Sequence, residues 1–341
     1  FLFNHAAIFP KDRWPKGIGV NGWVTVDGEK MSKSKGNFFL IRDLPQKWRV
    51  DPSRITILSG GEGLDDTNWD SEMAVAMKDR LETLYEFCTT NYGTGRPGTK
   101  AIDKWLMTQV DRIVNEATDA MELTNFRTAI QRVYFDMQNV LKWYLKRTTP
   151  SKNALTMFIE AQIIMLAPFT PILCEEMWRA IGKSGFVTDA SWPKAKKVDT
   201  KALASEETVR TVLDDIRHVL TILKISKPSI ITIVTAASWK YELYEAMKKN
   251  ATIKNPGEMI KAVMQTHLKQ HGEDVVKLIG KVMNKLPSTL LAPEEEYIAL
   301  TDAKEFYTKE FGCTIEVLQP DQTKEARAGI ALPSKPAIIV K

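Results

Sequence analysis

Apolar positions recur at helical spacing through the middle of the chain. From Ser71 onward, Met73, Ala76, Met77, Leu81, Leu84, Tyr85 and Cys88 fall on one side of a helix. A second amphipathic stretch carries Ile102, Trp105, Leu106, Val110, Ile113, Val114 and Ala117. A third carries Phe126, Ala129, Ile130, Val133, Tyr134, Met137, Val140, Leu141 and Tyr144. A further helix is predicted from Ser151 to Ala167, stopped by Pro168, and another from Pro171 to Ile181, stopped by Gly182. Short connections between amphipathic helices predict an antiparallel bundle.

The pattern changes on both sides of these helices. Residues 16–30 alternate between faces and contain Asn21-Gly22 and Asp27-Gly28, which predicts short strands and turns leading into an exposed loop over 29–42. Residues 52–58 are compatible with a short helix or a strand. Gly60, Gly61 and Gly63 read as a flexible break before the acidic stretch Asp65 to Asp70, and TGRPGT at 94–99 reads as a linker. After the bundle, a helix is expected over 206–224, then a β-branched strand at Ser229 to Thr235. Helices at 239–249, 256–270, 273–286 and 299–311 and strands at 313–318 and 337–341 complete a small α+β domain.

A chain of 341 residues with 44% apolar residues can build two or three cores. No apolar run is long enough to span a membrane, and the opening FLFNHAAIF reads as a piece of a larger domain and not as a leader. Cys88, Cys174 and Cys313 are too scattered for a disulfide framework or a zinc site, so buried free thiols in a reducing cytosol are expected. His267 and His271 share a helix face, but no partner pattern follows and no metal is assigned. Net charge is +5 overall and uneven: +5 over 1–50, −6 over 51–95, +5 over 96–201 and +1 thereafter. Such a balance suits local contact with a polyanion without establishing it.

The strongest local signal is Lys30-Met31-Ser32-Lys33-Ser34, followed by Lys35-Gly36-Asn37. Two lysines three apart, with small hydroxyl residues between them, can turn both ammonium groups and several backbone N–H groups toward one polyphosphate. Gly28 and Gly36 would let this loop move, and Met31 would anchor it. Attack of a carboxylate on the α-phosphate of ATP builds charge on the departing pyrophosphate, and mobile cations that meet this charge in the transition state accelerate the step. The competing reading is a solvated Lys/Ser loop.

GEKMSKSKGN resembles the second signature of class I aminoacyl-tRNA synthetases. AIDKWLMTQVDRIV (101–114) and LAPFTPILCEEMW (166–178) resemble the helical anticodon-binding domain of the leucyl, isoleucyl, valyl and methionyl enzymes, with Trp105, Phe169 and Trp178 expected in its core. NHAAIFPKDRWPKGIGVNG (4–22), GEGLDDTNWD (61–70) and residues 203–341 resemble the archaeal leucyl type, so the resemblance covers essentially the whole chain. The family's N-terminal half, with its HIGH-type signature, leucine pocket and editing domain, has no counterpart in it.

The resemblance implies an α+β multidomain protein: the end of a Rossmann-type catalytic domain with the signature loop (1–50), a connector toward the tRNA acceptor stem (51–95), a helical-bundle anticodon-binding domain (96–200) and a small α+β tRNA-contacting domain (203–341). It implies leucine, ATP with Mg²⁺, and tRNA(Leu) as ligands, and a cytoplasmic location. Lys33 would stabilise the leaving pyrophosphate and Lys30 would assist, while Ser32 and Ser34 would offer hydroxyl or N–H groups. Arg127, Lys142, Lys146 and Arg147 are candidate phosphate contacts, weighed against a solvated helix face. The alternatives are a split subunit completed by a separate N-terminal synthetase chain, a non-catalytic tRNA-binding module, and an isoleucyl or valyl enzyme.

Overall fold

The computed structural model describes residues 1–283 and 285–341. The chain is α+β and divides into two units: residues 1–98, 109–143 and 150–197 form the first, and 99–108, 144–149 and 198–341 form the second.

The first unit opens with α1 (Leu2–Ile8), whose residues are all at least partly exposed. Strands β1 (Val24–Val26) and β2 (Glu29–Lys30) then form a hairpin, joined by Asp27 and Gly28. Both turn residues have positive φ, 51° and 81°, as the favoured two-residue hairpin turn requires. Helices α2 (Leu44–Trp48), α3 (Val50–Ser59) and α4 (Ser71–Asn91) follow, with strand β3 (Thr67–Trp69) between the last two. The ambiguous stretch at 52–58 is therefore helix. β3 pairs in parallel with β1, giving the sheet order β2-β1-β3.

The expected flexible break at Gly60 and Gly61 is corrected by this strand. A Cβ on Gly60 would lie 2.2 Å from the Asn68 carbonyl oxygen, and Asn68 N–H donates to the Gly60 carbonyl at 3.1 Å. The glycine permits close backbone approach at this point and is not a hinge. Val26, Trp48, Trp69 and Ala74 form the small core here, with Phe39, Leu44 and Ile57 against it.

Beyond α4 the predicted helices are present as α5 (Ala101–Glu122), α6 (Phe126–Ile130), α7 (Met137–Arg147), α8 (Lys152–Leu166) and α9 (Pro171–Ala180). The single helix expected through 126–144 passes through a π turn, Gln131–Asp136. Val110, Ile113, Val114 and Ala117 are buried, as are Ile130, Val133, Met137 and Leu141, Phe169 and Trp178. The 94–99 segment is pinned and is not a free linker: Arg96 N–H donates to the Pro150 carbonyl at 2.9 Å, and Lys152 N–H to the Arg96 carbonyl at 3.0 Å.

In the second unit, α10 (Thr200–Leu223) starts where the Asp199 carboxylate accepts from Lys201 and Ala202 N–H. Strand β4 (Ile230–Val234) is central, parallel to β5 (Thr314–Leu318) and antiparallel to β6 (Ala337–Val340). Helices α11 (Ser238–Lys249), α12 (Pro256–Met264) and α13 (Gly272–Val282) share a core of Leu243, Tyr244, Met247, Met259, Val263, Leu268, Val275 and Ile279. The helix expected over 256–270 ends at Met264, because the Thr266 hydroxyl accepts from Leu268 N–H and starts a separate 3₁₀ turn. The helix expected over 299–311 is two, α14 (Pro293–Asp302) and α15 (Lys304–Phe311). Trp105 is buried in this unit. All three cysteines are buried and free. No helix among the described residues is long and apolar enough to cross a membrane.

Candidate functional site

The loop of interest leaves β2 at Lys30, whose strand position opposite Thr25 is set by the hairpin register. The Lys30 ammonium lies 5.8 Å from the centre of the Trp23 ring, a cation–π distance. Asn37 closes the loop from inside: its Oδ1 accepts from Ser32 N–H at 2.9 Å, and its Nδ2 donates to the Lys30 carbonyl at 3.1 Å. The Ser32 and Ser34 hydroxyls lie 2.7 Å apart, and Gly36 N–H donates to the Lys33 carbonyl at 3.3 Å. Lys35 is engaged with Glu29 at 3.0 Å. Lys33 is exposed, and its side chain has no ion pair or hydrogen bond among the described residues.

The anchor role expected of Met31 is corrected: its side chain is 37% exposed and the loop is braced by Asn37 instead. The signal that could have found this brace is an Asn at the end of the loop, a residue able to accept from and donate to main chain at once. The loop's exit is fixed by Phe39, whose ring meets Trp48 edge-on at 5.0 Å, while Trp48 lies 5.1 Å from Trp69. A hollow of about 310 Å³ in this unit is lined by Pro45, Arg49, Asp51, Lys78, Glu82 and Ile172 among others, and by no residue of the loop.

The hairpin under the loop is held from a stretch to which the sequence pattern assigns no role. Asn68 Oδ1 accepts from the Thr25 hydroxyl at 2.9 Å and from Gly28 N–H at 2.8 Å. The Asp27 carboxylate accepts from Ser71 N–H at 2.8 Å and from the Ser71 hydroxyl at 3.0 Å. Asp66 Oδ1 accepts from Trp23 N–H at 2.6 Å.

Side chains from 51–62 also meet helix ends. The Asp51 carboxylate accepts from Leu173 N–H in the first turn of α9 at 2.6 Å, while Arg54 donates to the Pro168 carbonyl at 2.9 Å and the Phe169 carbonyl at 3.3 Å. Burial pushes the Asp51 carboxyl up from its ordinary value, against the lowering effect of the α9 N–H groups. Glu62 accepts from Thr128 N–H at 2.9 Å and from its hydroxyl at 2.8 Å, in the first turn of α6.

The four basic residues expected to meet phosphate separate into two kinds. Arg127 and Lys142, in the first unit, are exposed and unpaired among the described residues. In the second unit, Arg147 is corrected. Its guanidinium donates to Glu206 at 2.9 Å, only 7% of either side chain is exposed, and Phe306 lies 5.1 Å away. A phosphate could reach it only by displacing a buried carboxylate. Lys146 is exposed but bonded to Glu310 at 2.8 Å, a carboxylate that Arg217 also contacts. His267 pairs with Glu242, and His271 stacks on Trp239 at 4.4 Å. No group of three or more His, Cys, Asp or Glu able to hold a metal is found among the described residues.

Residues 4–81 match the family described as tRNA synthetases class I (M), and residues 103–233 match the anticodon-binding domain of tRNA ligase. Curated relatives named leucine–tRNA ligase include those of Aeropyrum pernix, 36% identical over 99% of this chain, Pyrococcus horikoshii, 33% identical over all of it, and Methanococcoides burtonii, also 33% over all of it. The chain spans 36%, 36% and 38% of those relatives' lengths. A solved ternary complex of Agrobacterium radiobacter K84 agnB2 LeuRS with tRNA and LeuAMS has a TM-score of 0.45 and 21% identity, over 63% of this chain and 25% of that one. That likeness is too slight to argue fold. Over its whole length, however, this sequence is similar to archaeal leucine–tRNA ligases, of whose length it spans a little over a third, and its two matched stretches are those of a class I tRNA synthetase family and of a tRNA ligase anticodon-binding domain.

Proposed function

We propose that this chain supplies the ATP-phosphate loop and the tRNA-holding domains of a cytoplasmic leucine–tRNA ligase. In that reaction a leucine carboxylate oxygen attacks the α-phosphorus of ATP. The bond to the bridging oxygen breaks, pyrophosphate leaves, and leucyl-adenylate forms. The leucyl group then passes to the terminal adenosine of tRNA(Leu).

Lys33, unpaired at the loop tip, meets the negative charge that grows on the departing pyrophosphate. Lys30, tied to the hairpin, assists and fixes where the loop begins. Ser32 and Ser34 present hydroxyls to the phosphates, and Asn37 keeps the turn narrow. Preorganised donors of this kind act where charge develops. Magnesium belongs to this reaction as the ion of the nucleotide. The described residues gather no group of three or more His, Cys, Asp or Glu to hold it. The leucine pocket and the rest of the ATP site belong to the part of the relatives' length that this chain does not match, supplied in the same polypeptide or by a separate N-terminal synthetase chain.

Residues 1–50 serve as the end of the catalytic domain, 51–95 connect it toward the acceptor stem, and 96–200 and 203–341 hold the tRNA. Arg127 and Lys142 meet its phosphates. The observation that carries the reading is the pair of lysines on an Asn37-braced turn, inside a chain that aligns throughout with leucine–tRNA ligases. ATP–pyrophosphate exchange by the complete enzyme tests it. Lys33→Ala is expected to slow leucine-dependent exchange about 10²- to 10³-fold with tRNA affinity unchanged. An unaltered exchange rate refutes the assignment and leaves a tRNA-binding module.

A further inference from the structure

We propose that Asn68 and Asp27 are positioning residues for adenylate formation, locking the loop's hairpin to β3 and the N-terminus of α4; the proposal rests on the role given to Lys33 above. A hairpin whose second strand is only Glu29–Lys30 is too short to keep its orientation unaided. What fixes it comes from outside. Asn68 lies opposite Thr25 in the parallel register, and one carboxamide oxygen accepts from both the Thr25 hydroxyl and the turn's Gly28 N–H. Lys30 is the cross-strand partner of that same Thr25. On the other side of the turn, Asp27 N–H donates to the Trp69 carbonyl at 2.8 Å, and both oxygens of its carboxylate are occupied by Ser71 at the start of α4.

The lock is itself seated. Asn68 N–H is held by the Gly60 carbonyl just after α3, at a place where any side chain on residue 60 would strike the Asn68 backbone. The turn at Asp27 and Gly28 is thus a fixed point, and motion of the loop is confined to the residues beyond Lys30. Lys33 is carried on an arm whose root is set by two side chains that touch neither nucleotide nor amino acid. Misplacing a reacting group by about 1 Å can cost about 10²-fold in rate, so loosening the root is expected to appear in the chemical step.

The test is a mutant cycle in the catalytically complete enzyme containing this chain, read by ATP–pyrophosphate exchange. Asn68→Leu, which removes the acceptor, is expected to lower kcat about 10- to 10²-fold while leaving the KM for leucine and the affinity for tRNA unchanged. Asn68→Asp, which keeps an oxygen facing Thr25 and Gly28, is expected to retain the rate within about threefold. Because Asn68 acts through Lys33, adding Asn68→Leu to Lys33→Ala should slow exchange little beyond Lys33→Ala alone. Multiplying effects, or an Asn68→Leu enzyme as fast as the parent, would overturn the positioning role. If Asn68→Leu does not fold, Thr25→Val removes one of the same hydrogen bonds with little change of shape, and the same cycle decides. A Lys33→Ala enzyme with the parental rate would instead bring down the functional reading itself, so the two failures are separable.

Discussion

Glu296 is fully buried on α14, and one of its oxygens accepts from Ser334 N–H at 2.8 Å. Its other oxygen has the Tyr241 hydroxyl for a neighbour but makes no fully formed hydrogen bond. Burial raises this carboxyl from 4.5 to about 7, opposed by Ser334 and Tyr241. The folded protein therefore holds a proton that the unfolded chain releases above 4.5. The contribution is fully present below 4.5, is lost progressively as pH rises toward 7, and is constant above that. At 1.36 kcal/mol per unit, the loss amounts to about 3 kcal/mol.

Glu296→Gln removes the titration while keeping an oxygen for Ser334. Urea unfolding between pH 4.5 and 8, with amide exchange of Ile231–Val234 assigning the transition to the second unit, should show the variant gaining on the parent across that range, by about 3 kcal/mol in total. A packing change would shift the comparison equally at every pH. A parent–variant difference independent of pH would therefore refute the buried-proton argument.

Three further outcomes are expected. Arg147→Ala strands Glu206 in a buried site and should destabilise the second unit by about 3–5 kcal/mol, measured by denaturation, whereas Arg147→Met with Glu206→Leu should recover most of that loss. Arg127→Ala and Lys142→Ala, both at exposed cations, should each weaken tRNA binding and lower the slope of log K against log salt by up to about 0.9 for each phosphate no longer neutralised, with unfolding midpoints unchanged; unaltered slopes would make them solvated helix faces. Asp51→Ala removes the acceptor at the α9 N-terminus and should cost about 1–2 kcal/mol in unfolding free energy, and a neutral result would mean that water replaces the carboxylate.

The long helices were legible because their apolar residues recur along whole turns, and Ile102, Val110, Ile113, Val133 and Met137 are indeed buried. Strand β4 was legible because ITIV has no other economical reading. β3 was not, since Thr67-Asn68-Trp69 is only three residues long and sits among carboxylates that suggest solvent. The same blindness hid Asn68 and Asp66, whose acceptors are spent on main chain some forty residues away. The signature loop is found by composition, yet the bracing role of Asn37, whose residue type only permits it, is shown by the geometry. Arg147 looks like its neighbour Lys142 in sequence, because the carboxylate that claims it lies on α10, far along the chain.

The charged side chains of segment 51–62 are turned to helix ends within the first unit. Asp51 stands at the N-terminal end of α9, where unpaired N–H groups favour a negative charge, and Glu62 stands in the same relation to α6. Arg54, one turn along α3 from Asp51, covers the carbonyls left over after α8. Each charge has the sign that the helix end opposite it requires. Asp51 and Glu62 join α3 and its following loop to α9 and α6, Arg54 joins α3 to the end of α8, and the same loop carries Gly60, whose carbonyl holds Asn68 beneath the hairpin. Displacing α9 from Asp51 would thus pull on the element that orients Lys30, whereas removing Arg127 or Lys142 would leave that linkage intact. Within the acidic stretch, Asp51 and Glu62 thus serve internal helix ends, and Asp66 serves the loop's root.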